Sequence, residues 1–387
     1  MYRSEIRVSQ FALMAFLMCF AIMYTYGRSI TILYGGIELL IAFFCYKGFL
    51  TRFNRIDGTL GALCLLVVMS TWLTGLFYGD LKSTLLITVP IIMPLYISTL
   101  NIAYSGNNDF MLAAVGAVIV TFLAIIWNLF GNFNSNTIGF VGFMGVSLGF
   151  PWIKSARFKV IPLTIVLFGI LCAAMSGSRN VAVTGLACIC LLLLPDAILR
   201  KKSVFFLITG FVLAYTIFSA DIMAWGFSIP AINDFLLEFT GRYSQKAWSM
   251  AARVDYLRII QSHIAERNIL QQMFGTGTLT IHGHNMFYQS VLEFGYLGTS
   301  LIYIMFFRIF KFGYVLIKEK HDRVAMGCAV ALWGNFLLQG ADVYLLGPES
   351  YAVVPQVLMG IILQRYSVYR YERFSERLAG KSDRKWN

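Results

Sequence analysis

Two histidines, His282 and His284, stand two residues apart in the run Gly275-Thr276-Gly277-Thr278-Leu279-Thr280-Ile281-His282-Gly283-His284-Asn285, immediately ahead of a long apolar stretch. Imidazole exchanges a proton near neutral pH, so a histidine at the junction of loop and membrane is a candidate general base. His284 is the nearer to the apolar stretch and takes that role; His282 supports it. A metal site is the competing reading of H-x-H, but no third ligand follows at helical spacing and no H-E-x-x-H occurs, so no metal is expected. A histidine held only by structural hydrogen bonds is the plain alternative, a better one for His282 than for His284. His263 and His321 read as ordinary interface residues. Nine residues past His284 comes Glu293, roughly 13 Å further along a helix. A carboxylate at that depth marks either function or an ion pair. Glu38 and Asp342 raise the same question with less around them.

Two arginines complete the set. In Met175-Ser176-Gly177-Ser178-Arg179-Asn180, Ser178 is a plausible helix N-cap. Arg179 then falls in the first turn, where the helix dipole disfavours a cation. An anion shared between the guanidinium and the free N–H groups of that turn would explain it; the bland reading is an arginine snorkelling to the interface. Arg253 leads the 4-3-4 series Arg253, Leu257, Ile260, Ile264 within Ser249–Phe274, which reads as one amphipathic helix. A charge in line with an apolar stripe needs a partner. Asp255, Arg258, Ser262 and Glu266 mark another face, and Arg258 is accounted for by Asp255. Arg242 and Lys246 read as solvated.

The elements that must hold these groups follow from composition. Of 387 residues, 58% are apolar and 13% charged, against roughly 45–50% and about 25% in a soluble domain. Mean hydropathy is +0.71. Too few polar residues exist to cover one water-soluble core, which excludes a soluble enzyme, a single-anchor protein and, despite the +12 charge, a nucleic-acid binder. The seven cysteines (Cys19, Cys45, Cys64, Cys172, Cys188, Cys190, Cys328) all lie in apolar runs, so no disulfide framework is expected. Cys188 and Cys190, two apart on a helix, should point in different directions.

A bilayer span needs about 20 apolar residues. Twelve such runs are expected, at about 8–26, 29–50, 58–78, 81–104, 109–131, 136–153, 158–176, 179–199, 203–221, 285–307, 324–346 and 351–368. The sixth, with four glycines and Pro151, is the weakest and open to a partly re-entrant reading. The first lacks an A-x-A-like cleavage site and reads as a retained span. Of the 31 Lys and Arg, eight (Arg28, Lys82, Arg179, Arg242, Lys246, Arg253, Arg258, Arg267) fall on one side and the other 23 on the opposite side. The positive-inside rule puts the richer side, with both termini, in the cytoplasm. The fold class is therefore an all-α integral membrane protein, residues 1–387 forming a single polytopic domain. One large outer loop, about 222–284, holds the amphipathic helix. A basic tail, 369–387, lies against anionic lipid.

At this point the residues resemble a known family. His282-Gly283-His284-Asn285 followed by Glu293-Phe294-Gly295-Tyr296-Leu297-Gly298 looks like the H-x-H-N…E-x-G-x-x-G signature of the O-antigen ligases and the related O-antigen and capsule polymerases. Ser178-Arg179 resembles the family's S/T-R at the outer end of a mid-chain span, and Arg253 its loop arginine. Twelve spans with one large loop between the ninth and tenth are also its pattern. The motifs cover roughly residues 170–300. The resemblance implies a metal-independent, inverting glycosyltransferase that needs no cofactor. It would move a glycan from undecaprenyl diphosphate to an acceptor hydroxyl at the periplasmic face of a bacterial inner membrane. Arg179 and Arg253 would bind the diphosphate, His284 would take the acceptor's proton, and His282, Asn285 and Glu293 would support them. Partners are then the lipid-linked donor, a glycolipid or lipid-linked glycan acceptor and membrane lipid. The H-x-H-N form, Gly340-Ala341-Asp342-Val343 and the single loop favour a ligase acting on lipid A–core over a repeat-unit polymerase. A small-anion secondary transporter is the non-enzyme alternative. It predicts internal repeats and midplane ionisable groups, and the sequence shows no obvious repeat.

Overall fold

The structure is a computed structural model and describes residues 56–78, 81–99, 107–128, 135–175, 179–230, 245–277, 285–340 and 353–382. Every regular element among them is a helix: α1 (Gly58–Tyr78), α2 (Leu81–Thr99), α3 (Asn107–Asn128), α4 (Ser135–Ser147), α5 (Phe150–Ser155), α6 (Val160–Met175), α7 (Arg179–Leu193), α8 (Asp196–Leu199), α9 (Lys202–Ser228), α10 (Gln245–Ala265), α11 (Ile269–Phe274), α12 (Met286–Glu319), α13 (Arg323–Gln339) and α14 (Val353–Ser382). Among the described residues, four stretches are long and apolar enough to cross a bilayer, namely Gly58–Tyr78, Ile138–Ser155, Lys202–Ser219 and Met286–Glu319. The protein is an α-helical membrane protein. The runs expected at 8–26 and 29–50, with Glu38, lie outside the described residues.

Helix α13 is the centre. From Ala325 to Phe336 every residue is buried, and the helix packs on α5, α7, α9, α12 and α14. Small residues let backbones meet: a Cβ at Gly327 would fall 2.4 Å from Pro151 Cα. Trp333 donates its indole N–H to Thr209 Oγ1 at 3.1 Å and stacks on Phe310. The weak sixth run is interior, with helices α4 and α5 joined by a turn at Leu148–Gly149 and almost wholly buried. The outer helices instead present apolar side chains outward, Leu65, Leu73 and Phe77 on α1 and Leu207, Phe211 and Phe218 on α9. Water would not support that much exposed apolar surface, whereas hydrocarbon does.

Several boundaries differ from expectation. Helix α9 continues to Ser228, so the expected loop opens later than 222. Helix α12 continues past 307 and absorbs most of the link 308–323, and α14 carries the basic tail as helix to Ser382. From Tyr296 to Glu319 α12 is about 36 Å long and α14 about 45 Å at 1.5 Å per residue, so both exceed the roughly 30 Å hydrocarbon core. The expected single helix Ser249–Phe274 is two helices, α10 and α11. Asn268 stops the first and caps the second: its side chain accepts from Gln271 N while the Gln271 amide accepts from Asn268 N.

The overhanging ends are tied by ion pairs. Lys154, whose side chain is fully buried, donates to Asp196 at 3.1 Å and to the Leu194 carbonyl. Arg323 shares Asp196 at 3.2 Å. Arg308 and Arg370 share Asp57 at 2.9 and 3.1 Å, and Arg365 pairs with Asp322 at 2.6 Å. These residues come from the links and tail that the charge count assigned to one side. Burial would raise the Asp196 carboxyl, but the hydrogen bond and charge of Lys154, with Arg323, outweigh it and hold it below the usual carboxylate range. A depressed carboxylate stabilises the fold fully above its ordinary pKa of about 4 and loses that contribution as pH falls through the lower folded value. We therefore predict that Asp196→Asn, which strands the buried Lys154 ammonium, lowers stability by about 3 kcal/mol, read as a fall in the Tm of the detergent-solubilised protein. The double change with Lys154→Met should recover part of it. An unchanged Tm for Asp196→Asn would contradict this account.

Candidate functional site

The site is built around an interruption in α12. Gly295 adopts φ 68° and ψ 177° inside the helix, a conformation open to glycine and strained for other residues. A break there removes the amide partners that the carbonyls one turn earlier would have had. Donors from the preceding loop replace them. Gly277 N donates to the Glu293 carbonyl at 3.0 Å. The Leu292 carbonyl accepts from the Arg267 guanidinium at 2.6 Å and from the backbone N–H and hydroxyl of Thr276, both at 3.4 Å. The fit is backbone against backbone. A Cβ at Gly295 would lie 2.3 Å from the Met273 carbonyl, and one at Gly275 (φ 78°) 2.2 Å from the Glu293 oxygen. Gly277 (φ 66°) presses in turn on Gly75 and Thr71 of α1, and Thr84 of α2 donates to its carbonyl at 3.0 Å. The Gly-x-Gly and the E-x-G of the sequence are thus two halves of one interlock.

A second anchor holds the start of α12. Asn285, 1% exposed, is the N-cap and accepts from Tyr288 N at 3.1 Å. Its amide donates to Ser219 Oγ at 2.9 Å, to the Thr216 carbonyl at 3.2 Å and to the Gly340 carbonyl at 3.4 Å. Ser219 also donates to the Gly340 carbonyl. One asparagine therefore joins α12, α9 and the end of α13. Above it, Gln261 of α10 donates to Tyr288 Oη at 2.9 Å, and Tyr288 donates to the Asp221 carboxylate at 3.3 Å. Ile260 and Ile264 of α10 bury against Val291 and Leu292, and Leu257 on the same stripe is buried as well, as their spacing predicts. Arg258 sits 3.6 Å from Asp255, both exposed, which agrees with its bland reading.

The sequence-derived candidates fall as follows. Asn285 and Glu293 are described. Glu293 is buried and accepts from Gln289 one turn earlier. His282, His284, Arg242 and Asp342 lie outside the described residues. Arg179 is the first residue of α7, and Lys246 and Arg253 lie on α10, placed by their backbones alone. Because α7 runs from Arg179 toward Asp196 and the ion-paired end, its first turn stands at the Asn285 end of the bundle, where α10 also packs. Sequence reasoning missed Arg267, Thr276, Ser219 and Tyr288. The sequence carries no signal for them beyond the charge of Arg267, eight residues ahead of Gly275.

The described residues on either side of the two histidines, Gly277 and Asn285, are therefore each fixed to the bundle. The interlock predicts that Gly295→Ala, which combines a disfavoured φ with a collision against the Met273 carbonyl, costs about 3 kcal/mol or more in stability. It should sharply reduce the monodisperse fraction on size exclusion. Gly210→Ala on α9, where a Cβ meets nothing within 4 Å, is the control and should leave both Tm and elution unchanged. Among known proteins, no family model matches this chain and no curated sequence matches it, so the site must be interpreted from its own residues.

Proposed function

We propose that the protein is a lipid-linked glycan transferase resembling the O-antigen ligases, with twelve spans, both termini cytoplasmic and the Asn285 end facing the periplasm. The observation that carries this reading is that the residues flanking the two histidines are each fixed to the bundle, Gly277 to the α12 break and Asn285 to α9 and α13. Fixed flanks are what a positioned general base requires. In the reaction, the acceptor hydroxyl oxygen attacks the anomeric carbon from the face opposite the diphosphate. The bond from that carbon to the diphosphate oxygen breaks, and its electron pair leaves with undecaprenyl diphosphate. His284 takes the hydroxyl proton. Arg179 and Arg253 neutralise the charge that builds on the leaving group, for which a planar guanidinium suits two phosphate oxygens. His282 and Glu293 support the base. No cofactor or metal takes part in this scheme.

The favoured acceptor is lipid A–core, which makes the protein a ligase; a repeat-unit polymerase would use the same chemistry on a second lipid-linked glycan. One feature favours the transporter reading, because interrupted helices line many transport sites. In this protein, however, the carbonyls freed at the interruption are taken by Arg267, Thr276 and Gly277, which leaves them unavailable to a transported ion.

His284→Ala should abolish glycan transfer, by a factor of about 100 or more, while expression and Tm stay at wild-type values. The readout is the glycan ladder of cells carrying the variant. A wild-type ladder would refute the assignment. Arg179→Lys and Arg253→Lys should each recover little, since a point charge replaces a fork. Deleting a ligase leaves long polymer on undecaprenyl diphosphate, whereas deleting a polymerase caps surface glycans at one repeat unit.

A further inference from the structure

At the ion-paired end, opposite Asn285, the turn between α12 and α13 meets the middle of α14 around a cavity of about 570 Å3. Glycan transfer as proposed has no use for it. Lys320, His321, Arg323 and Arg365 all line it. Two carboxylates line it as well, but both are engaged. Asp322 caps α13, accepting from Val324 N and Ala325 N through one oxygen and from Arg365 through the other. Glu372 accepts from Lys320 at 2.9 Å. Arg323 has only a share in Asp196, which Lys154 also holds. Arg373 bonds to Tyr369 Oη at 2.9 Å, and its guanidinium lies 5.9 Å from that ring, as Lys320 does at 5.7 Å. The cavity's lining and the residues tied to it thus gather five cations (Lys154, Lys320, Arg323, Arg365, Arg373) against four carboxylates (Asp196, Asp322, Glu372 and Glu376, which lies within Coulomb reach of Lys320), before His321 is counted.

The balance is positive, which favours an anion at this place. The wall between the cations is apolar, formed by Leu316, Val324 and Val368. A free phosphate has no use for such a wall, whereas the glycerol and first acyl carbons of a phospholipid do. His321 holds φ 52°, the one non-glycine residue with positive φ among the described residues, and sits at the turn that forms the cavity's rim. We infer that this cavity binds the phosphate headgroup of an anionic membrane phospholipid, with Lys320, Arg323 and Arg365 as its ligands. Basic pockets between spanning helices on the cytoplasmic side suit such headgroups by the same electrostatics.

The test is native mass spectrometry of the intact chain released from detergent, titrated separately with phosphatidylglycerol, phosphatidylcholine and inorganic phosphate. Phosphatidylglycerol should be retained well above phosphatidylcholine. The double variant Lys320→Gln, Arg323→Gln should lose about thirty-fold of that preference. Both side chains are about half exposed and Asp196 keeps Lys154, so the variant should fold; an unchanged Tm checks this. Removing two tail charges instead, Lys381→Gln with Arg384→Gln, should leave retention unchanged. Equal retention of the two lipids, indifference of the double variant, or loss in the tail variant would each overturn the site. Inorganic phosphate binding as tightly as phosphatidylglycerol would overturn the lipid assignment.

Discussion

The hydrogen bonds exchanged across the break at Gly295 are the constraint on which the Asn285 end of the protein depends. Hydrocarbon offers no water to satisfy a freed carbonyl, so an interruption in α12 persists only if the protein supplies donors. Here they come from Arg267, Thr276 and Gly277, and supplying them fixes the chain that follows. The break and the loop therefore stabilise each other. Without the loop, α12 would carry unsatisfied polar groups; without the break, the loop would have nothing to dock on. The buried glycines are what allow the two backbones to approach closely enough.

The two ends of the bundle are held by different physics. At the Asn285 end most of the ties are hydrogen bonds to backbone carbonyls, donated by amides, hydroxyls and the Arg267 guanidinium, short in reach and strict in direction. At the other end they are ion pairs among long side chains on helices that overhang the apolar layer. Charge pairs tolerate displacement better than single hydrogen bonds do, since Coulomb energy falls slowly with distance. The arrangement concentrates geometric precision where a reacting group would need it and leaves adaptable contacts where the chain meets headgroups.

Much of this was legible in spacing. The apolar stripe Leu257, Ile260, Ile264 is buried as its 3-4 period required, and Cys188 is buried while Cys190, two residues on, is exposed. Asn285 stood out only through the H-x-H-N resemblance, which implied a supporting role and not the anchoring one it holds. What escaped was tertiary. Thr216 and Ser219 look like small fillers in an apolar helix until Asn285 reaches them from 69 and 66 residues away. Arg267 looks like one more surface cation, because its acceptor exists only once α12 is broken. The split of α10 from α11 was written locally in Asn268 and Gln271, a capping pair that the longer amphipathic pattern concealed. The helical continuation of the link 308–323 and the tail was hidden because charge was read as the end of a span, although a helix can leave the bilayer without ending.

The interlock also limits how this sequence can diverge. Gly275 and Gly295 face each other across backbone contacts that hold only in one alignment, and Gly277 and Asn285 are pinned to different parts of the scaffold. A side chain added at Gly275, Gly277 or Gly295 would meet the backbone of another element, not the end of a flexible side chain. No neighbouring rotamer change can make room for it. The three glycines therefore act as one unit, and relatives should keep all three together while the side chains around them vary.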